Sequence, residues 1–297
     1  MVGILRKVIA GFCYVEAGGV LYECKPRGNI KRAVGNILAG DNVEFCVMSN
    51  GTGAVEKVLE RKNSLVRPPI ANVDRLYIIS AHSTPAPNAL IIDRIIAIAE
   101  SKGIEPIVVF NKSDMGNLSA WKEIYDKAGI TSFIVSAKEP ESLEDLKKHL
   151  FSGVGISVFT GNSGVGKSSI LNALLPELNL STGEVSEKLG RGRHTTRRVE
   201  LFKLPEGGYI ADTPGFSSMD FEHCETVLKD RLPLCFREFE DYLSECRFTS
   251  CTHTGENGCA VKAAVDNGLI GESRYKSYVS LYNEVKDIKE WNLKGKK

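Results

Sequence analysis

The chain has 297 residues, of which 42% are hydrophobic and 25% charged, with a formal net charge of +1. Length suggests two domains of about 150 residues, or three if small modules are appended; the near-neutral charge excludes a uniformly basic or acidic surface, so any surface that attracts nucleic acid is local. No stretch reaches the apolar length of a membrane span and the N-terminus lacks a signal peptide's core, so a cytoplasmic address is expected, in which the eight cysteines are reduced or metal-bound rather than paired.

Residues 1–62 read as all-β. Ile4–Ala10, Gly11–Glu16, Val20–Lys25, Val43–Met48 and Ala54–Glu60 are short, rich in β-branched and aromatic residues, and set off by glycine or asparagine turns. Five such strands predict a small closed barrel of the OB type, a fold that commonly binds RNA or single-stranded nucleic acid. The connection 25–32 carries four basic residues and reads either as a phosphate-contacting loop or as a solvated one. Cys13, Cys24 and Cys46 fall on barrel strands and are expected in its core. Arg61–Arg67, followed by Pro68 and Pro69, reads as an exit linker, because two prolines cannot continue a strand ladder.

From Val73 the pattern changes to α/β. Strands are expected at Arg75–Ala81, Ile104–Phe110, Thr131–Val135 and Ile156–Thr160, alternating with helices at Ala89–Ser101, Trp121–Ala128 and Leu143–Leu150. Such alternation predicts a mainly parallel sheet with helices on both faces and ligands at the carboxyl ends of its strands.

The strongest motif follows Ile156–Thr160. Gly161, Asn162, Ser163, Gly164, Val165, Gly166, Lys167, Ser168 and Ser169 fit G-x-x-x-x-G-K-[ST] and run into a helix at Ile170–Leu175. Glycines free the backbone to turn its N–H groups onto phosphate oxygens, Lys167 reaches the outer phosphates, and the Ser168 hydroxyl is placed for Mg2+. Upstream, Asn111, Lys112, Ser113 and Asp114 follow the strand Ile104–Phe110. A carboxylate such as Asp114 accepts from the two adjacent donors of guanine, which adenine lacks, while Asn111 holds the neighbouring loop and the Lys112 stem covers the ring. Ser136, Ala137 and Lys138 after Thr131–Val135 offer backbone N–H groups to the guanine O6. Alone, the first tetrapeptide could be a polar helix start; with the phosphate loop, the set selects guanine over adenine.

Downstream, Asp212 and Gly215 bound an Asp-Thr-Pro-Gly turn after the strand Gly208–Ala211, placing a carboxylate for Mg2+ through water and an N–H for the γ-phosphate. A plain Asp/Pro/Gly turn is the alternative. The polar stretch Ser181–Arg198 between them is where a nucleotide-sensing switch would sit, with Thr195 or Thr196 completing Mg2+ coordination. Guanine-nucleotide switches usually begin with the phosphate loop and end with the base motifs. Here the base motifs come first, so the same parts are circularly permuted.

After Phe221 the pattern turns helical. Cys246, Cys251, His253 and Cys259 give C-x4-C-x-H-x5-C, a set that fits a closed tetrahedral, structural zinc site. His223, Cys224 and Cys235 lack a matching spacing and read as ordinary residues. The tail Tyr278–Lys297 reads as a charged amphipathic helix, partner-facing or simply solvated.

Together these residues make the chain similar to the ribosome small-subunit-dependent GTPase A family of bacteria (RsgA type). The matches are Gly40–Val43, Asn111–Asp114, Gly161–Ser169, Gly192–Thr196, Asp212–Gly215 and the Cys/Cys/His/Cys set, spread over essentially the full length. The resemblance implies an N-terminal all-β OB-fold barrel at 1–67, a central circularly permuted α/β P-loop GTPase domain at 68–220 and a C-terminal helical zinc-binding domain at 221–297. It implies GTP and GDP as substrate and product, Mg2+, one structural Zn2+, and the small ribosomal subunit with its rRNA as partner, with no membrane partner and a monomeric chain. In that family hydrolysis is slow alone, faster on the subunit, and coincides with release. A GTPase acting on another RNA or on a membrane is the alternative. Ras-like switches place a water-orienting glutamine after the Asp-x-x-Gly motif, but Phe216 stands there and makes no hydrogen bond. His194 is the candidate to position the water instead; a surface or rRNA-contacting histidine is the alternative.

Overall fold

A computed structural model describes residues 1–28, 30, 36–48, 51–83, 85–178, 199–212 and 225–289. The candidates Thr195, Thr196, His194, Gly215 and Phe216, with Cys224 and the last eight residues of the expected tail helix, lie outside the described residues.

The barrel strands are β1 (Val2–Ile9), β2 (Phe12–Ala17), β3 (Val20–Pro26), β4 (Asn42–Val47) and β5 (Gly53–Val58). β2 pairs antiparallel with β1 and β3, β3 runs parallel to β5, and β4 pairs antiparallel with both β5 and β1, closing the ring. This is the five-stranded OB arrangement. Alternate positions Leu5, Cys13, Val15, Cys24, Val43, Phe45 and Val55 fill its interior. Cys46 departs from the expectation of a core cysteine: it lies one step out of that alternation and is half-buried.

Residues 61–71 are more than a linker. Ser64–Leu65 (β6) and Ile70–Ala71 (β7) pair as a short antiparallel ladder, and Leu65 and Ile70 are buried in the core of the next domain. Their apolar side chains have nowhere else to go. The expectation from Pro68-Pro69 missed this anchor.

The central sheet contains β8 (Val73–Ala81), β9 (Glu105–Asn111), β10 (Ser132–Ile134), β11 (Ile156–Gly161), β12 (Glu200–Lys203) and β13 (Tyr209–Asp212). Their spatial order is β10-β9-β8-β11-β13-β12, parallel throughout except for the edge strand β12. Strand alternation feeds two cores. Leu76, Ile78, Val108, Phe110 and Val158 pack under helices α1 (Ala89–Ser101) and α2 (Ser119–Lys127). Tyr77, Ile79, Ile107, Val109 and Phe159 pack under α3 (Glu144–Phe151) and α4 (Lys167–Leu174). Helix α1 starts where the Asn88 side chain accepts from the Ile91 N–H (3.3 Å). It ends where Gly103, at φ 65°, lets the Ile104 N–H return to the Ala99 carbonyl (2.9 Å).

The barrel and the central sheet form one continuous sheet. β1 meets β12 antiparallel at Lys7 and Glu200, with the Arg6 guanidinium donating to the Leu201 carbonyl (2.5 Å) and Lys7 to the Glu200 carboxylate (2.6 Å). Glu16, nearly buried, accepts from both Arg6 and Lys203. β12 follows the expected switch stretch directly, so the barrel is fastened to the strand that this stretch leads into.

Among its described residues the C-terminal region contains 3-10 turns at Pro233–Cys235 and Arg237–Glu245 and helices α5 (Ala260–Asp266) and α6 (Glu272–Val285). α6 begins earlier than the expected helix and buries Tyr278, Leu281 and Val285. Helix α1 is thus covered on its second side. Arg274, 1% exposed, donates to Asp93 of α1 (2.7 Å) and to both Glu238 oxygens (2.7 and 3.0 Å), with its guanidinium 4.6 Å from the Phe236 ring centre.

Candidate guanine-nucleotide and zinc sites

β11 delivers Gly161 to the sheet's carboxyl edge, and Lys167 opens α4. Two glycines of the loop are required by geometry. Gly161 lies at φ 147° and Gly166 at φ 95°, and a Cβ would run into the Ile79 carbonyl at the first and the Asn111 carboxamide at the second. Val165 is buried in the sheet's core, while Ser163, Gly164 and Ser169 face outward. The Lys167 ammonium donates to the Gly161 and Asn162 carbonyls (2.7 and 2.8 Å), folding back over its own loop. Burial pushes that ammonium down to about 8, a bias that an anionic phosphate beside it would reverse. Ser168 stands in the first turn of α4, where a hydroxyl is available to a cation held at the phosphates.

Two strands away, β9 ends on Asn111, which is 2% exposed. Its amide nitrogen donates to the Val165 carbonyl (2.8 Å), and its oxygen accepts from the Ala137 N–H (3.2 Å). One side chain thus joins the phosphate loop to the Ser136–Lys138 loop. Lys112 takes φ 64°, reversing the chain, and its ammonium donates to the Ser83 carbonyl (3.3 Å). Ser113 donates its N–H to the Val135 carbonyl (3.2 Å) and begins the 3-10 turn that carries Asp114. The Asp114 carboxylate accepts from the Lys138 ammonium (2.8 Å) and the Ser136 hydroxyl (2.9 Å), and these donors hold it below the usual carboxylate range. It stays ionised at neutral pH, and an ionised carboxylate only accepts hydrogen bonds, so it can pair with two adjacent donors. The Ser136 N–H is taken by the Ser142 hydroxyl (2.8 Å).

The structure therefore brings Asn111–Asp114, Ser136–Lys138 and Gly161–Ser169 to one edge of the sheet. Asp212 ends β13, two strands from β8 and next to β11, so its backbone stands at the same edge.

The other cluster forms as expected. Ligand atoms of Cys246, Cys251, His253 and Cys259 all lie within 4.8 Å of one another. A tetrahedral zinc with thiolate at about 2.3 Å and imidazole at about 2.0 Å sets sulfur and nitrogen about 3.5 Å apart. His253 Nδ1 stands 3.4 Å from Cys246 Sγ and 3.7 Å from Cys259 Sγ, which fits. The protein also provides the thiolate partners zinc sites need: the Ala260 N–H donates to Cys246 Sγ and the Lys262 N–H to Cys259 Sγ, each at 3.4 Å. Burial pushes the Cys251 thiol up to about 12 and Cys259 in the same direction, so the donor set asks for a cation before it ionises. Although burial alone would raise it, hydrogen bonds from the Thr252 hydroxyl and from the Thr252 and Thr254 N–H groups pull the Glu256 carboxyl down to about 2, fixing the loop at 252–256.

The strand order, the three loops at one sheet edge and the early position of the base motifs define a circularly permuted P-loop GTPase flanked by a barrel and a Cys3His cluster. The chain belongs to the RsgA GTPase family: the RsgA GTPase model matches residues 58–222 and the RsgA N-terminal domain model residues 2–55. It is 43% identical to the small ribosomal subunit biogenesis GTPase RsgA of Caldanaerobacter subterraneus subsp. tengcongensis, over 99% of this chain and 98% of the relative. It is 42% identical to that of Streptococcus pneumoniae, over 98% and 96%. Among crystal structures, YjeQ from Thermotoga maritima superposes with a TM-score of 0.80 at 34% identity, covering 97% of this chain and 99% of that one. YloQ, a circularly permuted GTPase, gives 0.77 at 33% identity over 97% and 96%. Among the described residues no helix is long and apolar enough to cross a membrane.

Proposed function

We propose that this GTPase acts in the cytoplasm on the small ribosomal subunit and its rRNA late in maturation, as a monomer, and that hydrolysis to GDP and phosphate is faster on the subunit and coincides with release. The observation that carries this reading is the full-length similarity to relatives named for small ribosomal subunit biogenesis, which includes the barrel and the cysteine-rich end as well as the GTPase core. We divide the chain into a barrel at 1–67, a GTPase domain at 68–220 and a zinc-binding end at 221–297.

In this reading Asp114 reads guanine, with Asn111, Lys112, Ser113 and Ser136–Lys138 shaping its pocket. Gly161–Ser169 wraps the phosphates, Lys167 neutralises charge on them, and Ser168 and Asp212 hold Mg2+, directly and through water. Thr195 or Thr196 completes that coordination, and Gly215 donates to the γ-phosphate. Mg2+ held there would supply neutralisation of the charge on the phosphates. His194 positions the attacking water in place of the missing glutamine. The zinc ligands Cys246, Cys251, His253 and Cys259 hold a structural ion.

Cosedimentation of the full chain with isolated small subunits tests the partner. Binding that is stronger with a non-hydrolysable GTP analogue than with GDP supports it, and absence of subunit binding in either state refutes it. His194→Ala should lower subunit-stimulated turnover with GTP affinity intact; unchanged turnover discards that role.

A further inference from the structure

The residue after β8 is His82, whose N–H continues the ladder to the Asn111 carbonyl (3.0 Å). The short segment it begins runs along the whole base-recognition turn. Ser83 accepts from the Lys112 ammonium through its carbonyl (3.3 Å), and its hydroxyl approaches the Met115 sulfur (3.6 Å). The imidazole itself lies against Gly116, the residue that closes the turn after Asp114 and Met115. A Cβ on residue 116 would stand 2.7 and 2.8 Å from the ring's Cε1 and Cδ2, and closer still to Nε2.

Backbone conformation does not explain this glycine. Gly116 sits at φ 161°, ψ 174°, extended backbone that any residue adopts. What forbids a side chain there is the His82 ring. Nor does hydrogen bonding explain the histidine, because its Nδ1 is buried with no partner among the described residues. The ring contributes bulk at one place, under the turn that presents Asp114.

We propose that His82 is a positioning residue for guanine recognition: wedged against Gly116, its imidazole sets the height of the Asn111–Asp114 turn over the phosphate loop. This rests on the assignment of Asp114 as the guanine reader. The contact the structure gives the His82 ring is with Gly116. It acts through the turn, so its loss affects affinity for the guanine nucleotide and not the chemical step.

The test is a double-mutant cycle on the full-length chain, read by GDP titration with Mg2+ and by inorganic tripolyphosphate as a base-free probe. Gly116→Ala should weaken GDP binding by roughly tenfold, and His82→Ala by less, because a hole is milder than a clash. The double variant should bind GDP within about threefold of His82→Ala alone, since the new methyl then occupies the space the ring left. His82→Phe, which keeps a ring in place with somewhat more bulk and without either nitrogen, should stay nearer wild type than His82→Ala. Tripolyphosphate affinity should be unchanged in all four, which separates lost base recognition from unfolding, and kcat at saturating GTP should hold while KM rises. Additive losses in the cycle, or Gly116→Ala binding GDP like wild type, would overturn the proposal. Asp114→Asn in the same titrations distinguishes the two levels. If it fails to shift preference from guanine to xanthine nucleotides, the guanine assignment falls; if it shifts and the cycle is additive, only the role of His82 falls.

Discussion

The Asn111 side chain donates to the Val165 carbonyl at 2.8 Å and accepts from the Ala137 N–H at 3.2 Å, joining residues 54 and 26 positions away in the chain. Because the group is buried, nothing else replaces either bond. Asn111→Ala would leave a carbonyl and an N–H unpaired, at about 1–3 kcal/mol each. GDP affinity is expected to fall at least roughly tenfold, in a GDP titration of the variant against wild type. Undiminished affinity would mean that the three loops hold their places without this bridge.

Lys167 supplies a pH signature. Its ammonium is pushed down to about 8 by burial in the free protein. Bound phosphate stabilises the charged form and raises that value, so binding draws in a proton only where the free lysine has lost its own. Affinity should therefore be flat below about pH 8 and fall by up to tenfold per unit above it. Tripolyphosphate avoids the guanine N1–H, which also ionises in alkali, and subtracting the uptake seen with Lys167→Arg, whose side chain stays charged, removes the phosphate's own ionisations. Calorimetry in two buffers of different ionisation enthalpy should show proton uptake above pH 8 and none at pH 6.5. Uptake that is the same at both would rule out Lys167 as its source.

Arg274 ties the C-terminal end to the GTPase core. It is paired with Asp93 and Glu238 at about one-hundredth exposure, and removing it leaves two carboxylates buried without a counter-charge. Arg274→Ala should cost about 3–5 kcal/mol, while replacing all three residues by apolar ones of similar volume should recover much of the loss. Hydrogen exchange of α1 and α6 reports this locally. Protection of both helices should drop in the single variant and return in the triple one.

Zinc removal tests the cysteine cluster. Metal analysis of the purified chain should give about one zinc per molecule. A strong chelator should abolish exchange protection across 246–260, because the N–H···S bonds from Ala260 and Lys262 depend on charged sulfurs. The phosphate-loop strand β11 should keep its protection. A loop equally protected without metal would show that its own hydrogen bonds, those to Glu256 and from Tyr278 among them, hold it.

Much of this was legible in the sequence where the signal is local. Contiguous motifs such as Asn111–Asp114 and Gly161–Ser169, and the apolar spacing of α1, depend on residues within a turn or two. The Cys3His set was readable for the same reason. What could not be read depends on contacts far apart in the chain. β12 has four residues, too few for a period, and it is defined by pairing with β13 and with β1 some 193 residues away at Lys7 and Glu200. Leu65 and Ile70 looked like linker beside two prolines because their burial comes from a core assembled from residues far along the chain. His82 and Arg274 carry no motif at all, and only their neighbours in space give them a role.

The proposed function makes turnover a property of the complex with the small subunit rather than of the chain alone. Initial rates of GTP hydrolysis by the full chain, measured alone and across a titration of isolated small ribosomal subunits, test it most directly. The account predicts a slow basal rate that rises by an order of magnitude or more and saturates with subunit. A rate that stays at its basal value throughout the titration would contradict it.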